Sequence, residues 1–315
     1  MKRLNILLNT FGVAGYEDRL TDYIYDHAQS LADEIQKDCM GNIIALKKGN
    51  NSQHKLMLIT SIDQTGFIGM VKDGDVLRFG EIGTHKASQL VGQAVEFENG
   101  ATGIIGSDCD NEIKIKNLYV DVIDGEAGTG DVFALAHTQI KNDKYISSSR
   151  LSSRVGAFIL LKLLAEINAN KNDIYFVFAT QGGLNFRGSR TATFSVNPDM
   201  AITIGTAMAC DTPSSASSDI TLAGGPAIKI KDKSILAHPQ IKNSLMDSGD
   251  RQNMDYQLEV TSEESSEGGI VHISSGVVMT GGVSVPLRYK DSHQELCLIE
   301  NIEKTASLIK GCDLI

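Results

Sequence analysis

Apolar and polar positions change rhythm three times along the chain. Leu4, Leu7 and Leu8 share one helical face, a break follows at Gly12-Val13-Ala14-Gly15, and Leu20, Ile24 and Ala28 resume helical spacing; the pattern predicts a helical opening over 1–32. Two short apolar runs, 42–46 and 56–60, read as buried strands. From about 67 to 146 the helical period disappears. Strand-like runs at 91–97, 103–105 and 118–122 alternate there with glycine-containing turns, the texture of a small β domain. Helix–strand alternation then returns. An amphipathic helix is predicted over 155–167, and a fully apolar strand over 173–179 of the kind found in parallel sheets covered on both faces. Further strands are predicted at 200–204, 227–230, 257–260 and 283–285, and a last helix from about 294 to 309. Such alternation implies βαβ units. The fold class expected is α/β, with a discontinuous domain, 1–66 and 147–315, interrupted by an all-β insert, 67–146. The Ser/Glu-rich stretch 261–269 reads as a loop, and loops at strand ends in such sheets are where sites form.

Composition narrows the function. The 315 residues, 42% of them hydrophobic, suffice for about two packed domains. A net charge of −10 speaks against binding a phosphate backbone, so no nucleic-acid partner is expected. No stretch approaches the ~18 apolar residues of a membrane span. The N-terminus is too short and polar for a signal peptide, and a soluble cytoplasmic protein is expected. Cys39, Cys109, Cys210, Cys297 and Cys312 are odd in number and widely spaced, without a CxxC pair. Neither a zinc–thiolate site nor a disulfide framework follows from them.

Six segments carry a resemblance. They are Phe11-Gly-Val-Ala-Gly-Tyr-Glu17, Gly41-Asn-Ile-Ile44, Thr60-Ser-Ile-Asp-Gln-Thr-Gly-Phe67, Leu151-Ser-Ser-Arg154, Thr180-Gln-Gly-Gly-Leu-Asn-Phe-Arg-Gly188 and Pro286-Leu-Arg-Tyr-Lys-Asp-Ser-His293. In this order, across essentially the whole chain, they resemble the motifs of the glutamyl/lysyl aminopeptidase family, the self-compartmentalising tetrahedral metallo-aminopeptidases. The resemblance implies an α/β/α zinc-aminopeptidase-like sandwich and a β insert that acts in assembly, hence a homo-oligomer. It also implies two zinc or cobalt ions roughly 3.5–4 Å apart that activate one water, with a glutamate taking the proton.

Carried over position by position, the family's roles fall on different chemistry. The first histidine ligand falls on Ser61, the bridging aspartate on Ser152, the general-base glutamate on Gly182 and the glutamate ligand beside it on Gly183. A further aspartate ligand falls on Gly205 and the last histidine on Asp291. Glycine offers no side-chain donor, serine hydroxyls are poor zinc ligands, and one aspartate cannot hold a catalytic pair. The sequence therefore predicts no metal and no cofactor, and a non-hydrolytic relative that binds a peptide or amino acid or serves as an assembly subunit. Neighbours persist: Asp63 behind Ser61, and Arg154, Arg187, Glu267, Arg288 and Tyr289 as candidate ligand-binding residues.

Other readings stay open from sequence. An active aminopeptidase could hold metal through ligands not yet placed, Asp291 with His293 and His272 being the visible candidates. Ser61, Ser152 or Ser153 could be nucleophiles, but no G-x-S-x-G elbow is present. Cys210-Asp211 shows no base or cation to activate the thiol. Gly224-Gly225 and Gly281-Gly282 belong to no phosphate-loop motif. A purely structural assembly protein is a third class.

Overall fold

A computed structural model describes residues 1–50, 52–109, 112–168, 170–213 and 218–315. The chain opens with α1 (Lys2–Asn9) and α2 (Asp18–Ala28), followed by β1 (Glu34–Lys37), β2 (Ile43–Lys47) and β3 (Lys55–Ser61). Six strands follow: β4 (Gly66–Asp73), β5 (Val76–Ile82), β6 (Ala94–Phe97), β7 (Thr102–Ser107), β8 (Leu118–Asp124) and β9 (Val132–Leu135). Then come β10 (Gln139–Lys141), β11 (Tyr145–Ser148), α3 (Leu151–Glu166), β12 (Asp173–Ala179), α4 (Arg187–Val196), β13 (Met200–Met208), β14 (Ala227–Lys231) and α5 (Pro239–Arg251). The chain closes with β15 (Gln257–Val260), α6 (Glu267–Ile273), β16 (Met279–Leu287), β17 (Glu295–Leu298) and α7 (Ile299–Lys310).

An eight-stranded mixed sheet, ordered β1-β2-β12-β3-β13-β16-β14-β15, forms the middle layer. Its central strands are apolar on both faces because both are covered. Leu56 and Leu58 join Ile43, Ala45, Phe176 and Phe178 in one core beneath α1, α2, α3, α5 and α7. Met57 and Ile59 face the other way, with Ile44, Val177 and Ala179, against Ala192 and Val196 of α4 and Val271 of α6. The period-2 alternation of strand side chains thus makes an α/β/α sandwich.

β4 to β9 close into a six-stranded barrel around Phe67, Phe79, Phe97 and Phe133. The stretch 139–146, read from sequence as part of the insert, pairs instead with the C-terminal part: β11 aligns Ile146 with Cys297 of β17. That pairing also takes 295–298 out of the predicted last helix, which starts at Ile299. The sequence pattern does not predict α4, α5, the edge strand β1 or the barrel strands β4, β5 and β9, and residues 267–269, expected in a loop, open helix α6 instead. Among the described residues no helix is long and apolar enough to cross a membrane.

Candidate functional site

Parallel strands β3, β12 and β13 all end at the same edge of the sheet, and their C-terminal ends carry the positions singled out from sequence. Ser61 closes β3 and pairs with Ala179, the last residue of β12, so the turn Thr180–Gly183 follows directly beside it. Gly205 lies in β13, and Ser152 lies in the first turn of α3. Helix α3 can lie close against the sheet here because Gly156 lacks a Cβ that would collide with the Thr60 hydroxyl. This is the crevice outside the carboxyl ends of strands where α/β proteins place their ligands.

Two cavities meet there, of about 310 Å³ and about 230 Å³. Ser61, Ser152, Phe186 and Asp291 line both. The larger adds Asp63, Gly182, Gly183, Glu295, His293 and, from the barrel side, His85. The smaller adds Gly205, Glu267, Lys229 and Lys290. The structure therefore brings Ser61, Asp63, Ser152, Gly182, Gly183, Gly205, Asp291 and Glu267 together.

It does not bring the other candidates there. Arg154 is fully buried and its guanidinium is consumed by the main chain: it donates to the carbonyls of Leu7 (3.1 Å) and Thr10 (3.2 Å), to that of Ile62, and to Gln64 Oε1 (2.6 Å). It offers a ligand nothing. Arg187 is exposed on α4. Arg288 forms a fork with Asp211 (2.7 and 2.8 Å) and Tyr289 is 55% exposed; neither lines a cavity.

Buried carboxyls dominate the electrostatics. Asp63 Oδ1 accepts from the Gly182 amide (2.6 Å) and Oδ2 from the Gly183 amide (2.9 Å). Burial raises its pKa, against the pull of those two N–H groups. Glu17 accepts from the preceding amide, Gln181 (2.8 Å), and burial pushes it up to about 7. Three consecutive amides of the turn are thus held by two buried carboxyls. Glu267 accepts from the Ser61 hydroxyl and burial lifts it to about 7. Glu295 takes the amides of Ser152 (2.8 Å) and Asp291 (3.0 Å), tying the start of α3 to the Asp291 turn; it too is raised to about 7 by burial. Burial works against the charge of Lys290, but Asp291 and Glu264 outweigh it and hold the ammonium above the usual lysine range. His85, stacked on Phe67 at 4.2 Å, is lowered to about 4 by burial.

The sequence does not single out Glu295 or His85, and carries Glu17 and Lys290 only as members of motifs. The readable signals are Glu17 at the end of the opening turn and Lys290 directly before Asp291. Of the alternatives, Ser61 and Ser152 face carboxyls, not a histidine. Asp291 and His293 line the same cavity, whereas His272 sits on α6 with Nδ1 3.0 Å from the Val278 carbonyl. The backbone here is strained. Of eight non-glycine residues with positive φ among the described residues, five (Gln181, Asn185, Phe186, Tyr289 and Asp291) lie on the two segments that border the cleft.

Known proteins resemble this chain throughout. The family model for M42 glutamyl aminopeptidase matches residues 41–308. A protein of Acetivibrio thermocellus named "Putative aminopeptidase" is 32% identical over 311 residues, covering 95% of this chain and 93% of the relative. The lysyl aminopeptidase of Pyrococcus furiosus is 25% identical, over 97% and 94%. An aminopeptidase structure from the archaeon Desulfurococcus kamchatkensis superposes with a TM-score of 0.93 at 25% identity, over 98% of this chain and 93% of that one.

These matches correct one expectation from sequence, that no cofactor is involved: the matched family consists of aminopeptidases that use divalent metal ions. The donors present do not fit a pair of such ions. Among the described residues no group of three or more His, Cys, Asp or Glu side chains is placed to share an ion. Both Asp63 oxygens are committed to amides, the Ser61 hydroxyl to Glu267, and Gly205 faces open space. With the family model spanning most of the sequence and a relative above 30% identity along nearly all of it, the chain belongs to the M42 glutamyl aminopeptidase family.

Proposed function

We propose that the cleft binds a short peptide or an amino acid without hydrolysing it. The observation that carries this reading is the chemistry of the cleft floor. Where hydrolysis needs a carboxylate base and ion-gripping side chains, the chain presents Gly182, Gly183, Gly205, Ser61 and Ser152, in an open cleft lined by polar side chains. A general base contributes about 10²–10⁴-fold to rate, and glycine at 182 supplies none. Hydroxyls and carboxyls around the two cavities suit the ammonium and amide groups of a peptide. Isothermal calorimetry with Leu-Gly, Lys-Gly and Glu-Gly tests the reading. It expects saturable binding of at least one dipeptide, and it fails if none binds.

A second reading, an active metallo-aminopeptidase, draws support from the aminopeptidase relatives and from the acids kept in the cleft, Asp63, Glu267 and Asp291. Turnover of a peptide with divalent metal supplied separates the two.

We further propose that the protein self-associates through the barrel, in the cytoplasm, alone or with an active relative. A Pyrococcus horikoshii peptidase of the same fold (TM-score 0.87, 21% identity, 98% of each chain) is described as assembling into a tetrahedron or an octahedral shell. Ile104 and Ile123 stand 45% and 68% exposed on the barrel's outer surface here. Light scattering after chromatography should report an oligomer that Ile123→Lys shifts to smaller species. A wild-type monomer removes this proposal.

A further inference from the structure

Phe186 is costly where it stands. It is the residue before α4, and its backbone is left-handed, φ 54 and ψ 42. For a bulky side chain that is a true outlier, costing roughly 1–3 kcal/mol. The conformation is locked from both sides: the Phe186 amide donates to the Gly182 carbonyl (3.0 Å), and the Phe186 carbonyl accepts from the Arg190 amide (3.0 Å). Glycine would take these angles without strain and is a good residue at a helix start.

Packing does not offset the cost. The ring is only partly buried, it belongs to none of the apolar clusters, and no ring contact involves it among the described residues. What the side chain does is line both cavities at their junction, beside Ser61, Ser152 and Asp291. Strain kept without a packing return at a cavity junction points to a contact absent from the free protein.

We propose that Phe186 is a ligand-contacting partition: the ligand spans both chambers, lays an apolar or planar amide face on the Phe186 ring, and sets its polar end among the Ser61 and Ser152 hydroxyls and the Asp291 carboxylate. The ligand class is the short peptide or amino acid proposed above, and the inference rests on that reading for the ligand's identity alone. An aromatic face beside carboxylates favours an amine-bearing ligand, because the cation is drawn both to the ring and to the acids.

The experiment compares wild type with Phe186→Gly and Phe186→Tyr, by thermal melts without ligand and by calorimetry with Leu-Gly and Lys-Gly. A core residue would lower the melting temperature when truncated. A strained contact residue behaves oppositely: Phe186→Gly should melt higher than wild type while losing about tenfold or more in dipeptide affinity, the loss expected when an aromatic anchor is deleted. Phe186→Tyr should keep the affinity. A lower melting temperature for Phe186→Gly overturns the assignment whatever binds, as does unchanged affinity. If wild type binds neither Leu-Gly nor Lys-Gly, the assignment of Phe186 as a contact for such ligands is overturned, whereas the peptide reading itself falls only if Glu-Gly also fails to bind.

Discussion

Replacing Gly182 by alanine adds one methyl group at a crowded point of the cleft. An ideal Cβ at 182 lies 2.5 Å from the Ser61 Cβ and 3.0 Å from Asp63 Oδ1, and meets the Ser61 hydroxyl as well. Ordinary carbon contacts sit near 3.5–4.0 Å, so about 1 Å of movement is needed. Neither side yields easily, because Ser61 ends a central strand and the Gly182 amide is bound to Asp63. Overpacking of this kind costs about 1–3 kcal/mol. Thermal melts should therefore place Gly182→Ala several degrees below wild type, at about 2 °C per kcal/mol for a chain of this size. Gly205→Ala is the control. No heavy atom lies within 4 Å of its added methyl, and removing a strand glycine should leave stability unchanged or raise it by about 0.4–1 kcal/mol. The crowding names its own remedy. Ser61→Gly deletes the opposing atoms, so Gly182→Ala should cost at least about 1 kcal/mol less in the Ser61→Gly background than alone. Gly182→Ala as stable as wild type, or equally costly in both backgrounds, would refute the claim that the residues at 61 and 182 are fitted to each other.

Two further outcomes follow from the buried charges. Arg154→Met removes the guanidinium from the carbonyls of Leu7, Thr10 and Ile62, leaving Leu7 the Thr10 amide (3.3 Å) and Thr10 the Arg150 guanidinium (3.5 Å), and should lower unfolding free energy by about 3–5 kcal/mol in urea titrations; a loss under 1 kcal/mol would show the network to be dispensable. Glu295 rises from 4.5 unfolded to about 7 folded, so between those values the folded chain holds a proton that the unfolded chain has released. Its contribution is full below about pH 4.5 and is lost as pH climbs through about 7, amounting to about 3 kcal/mol. Glu295→Gln should flatten the fall in stability between pH 5 and 8 by up to that amount; an unchanged pH profile contradicts the assignment.

The sheet was legible because its strands are apolar on both faces: the run through Phe176, Val177 and Phe178 admits few other readings. The cleft floor was legible through motif positions, since Ser61, Ser152, Gly182 and Asp291 lie far apart in sequence yet converge at strand ends. Helix α5 escaped because its apolar face rests on few residues, Ile241 and Leu245 among polar ones. The start of α7 was misjudged because Glu295–Leu298 has a pattern that fits a helix, and only pairing with β11 makes it a strand. Arg154 read as a ligand contact because burial by carbonyls from α1 cannot be seen locally. The left-handed backbone of Phe186 and the fit between residues 61 and 182 depend on coordinates alone.

If this cleft holds a peptide without cutting it, mass spectrometry of a defined peptide mixture will show the peptides unchanged. Purified protein is incubated with the mixture over hours with Zn²⁺ or Co²⁺ supplied, beside an active family member. Peptides should stay intact with this chain and be trimmed from the N-terminus by the control. Stepwise loss of N-terminal residues that a chelator abolishes would contradict it and establish the active-peptidase reading in its place.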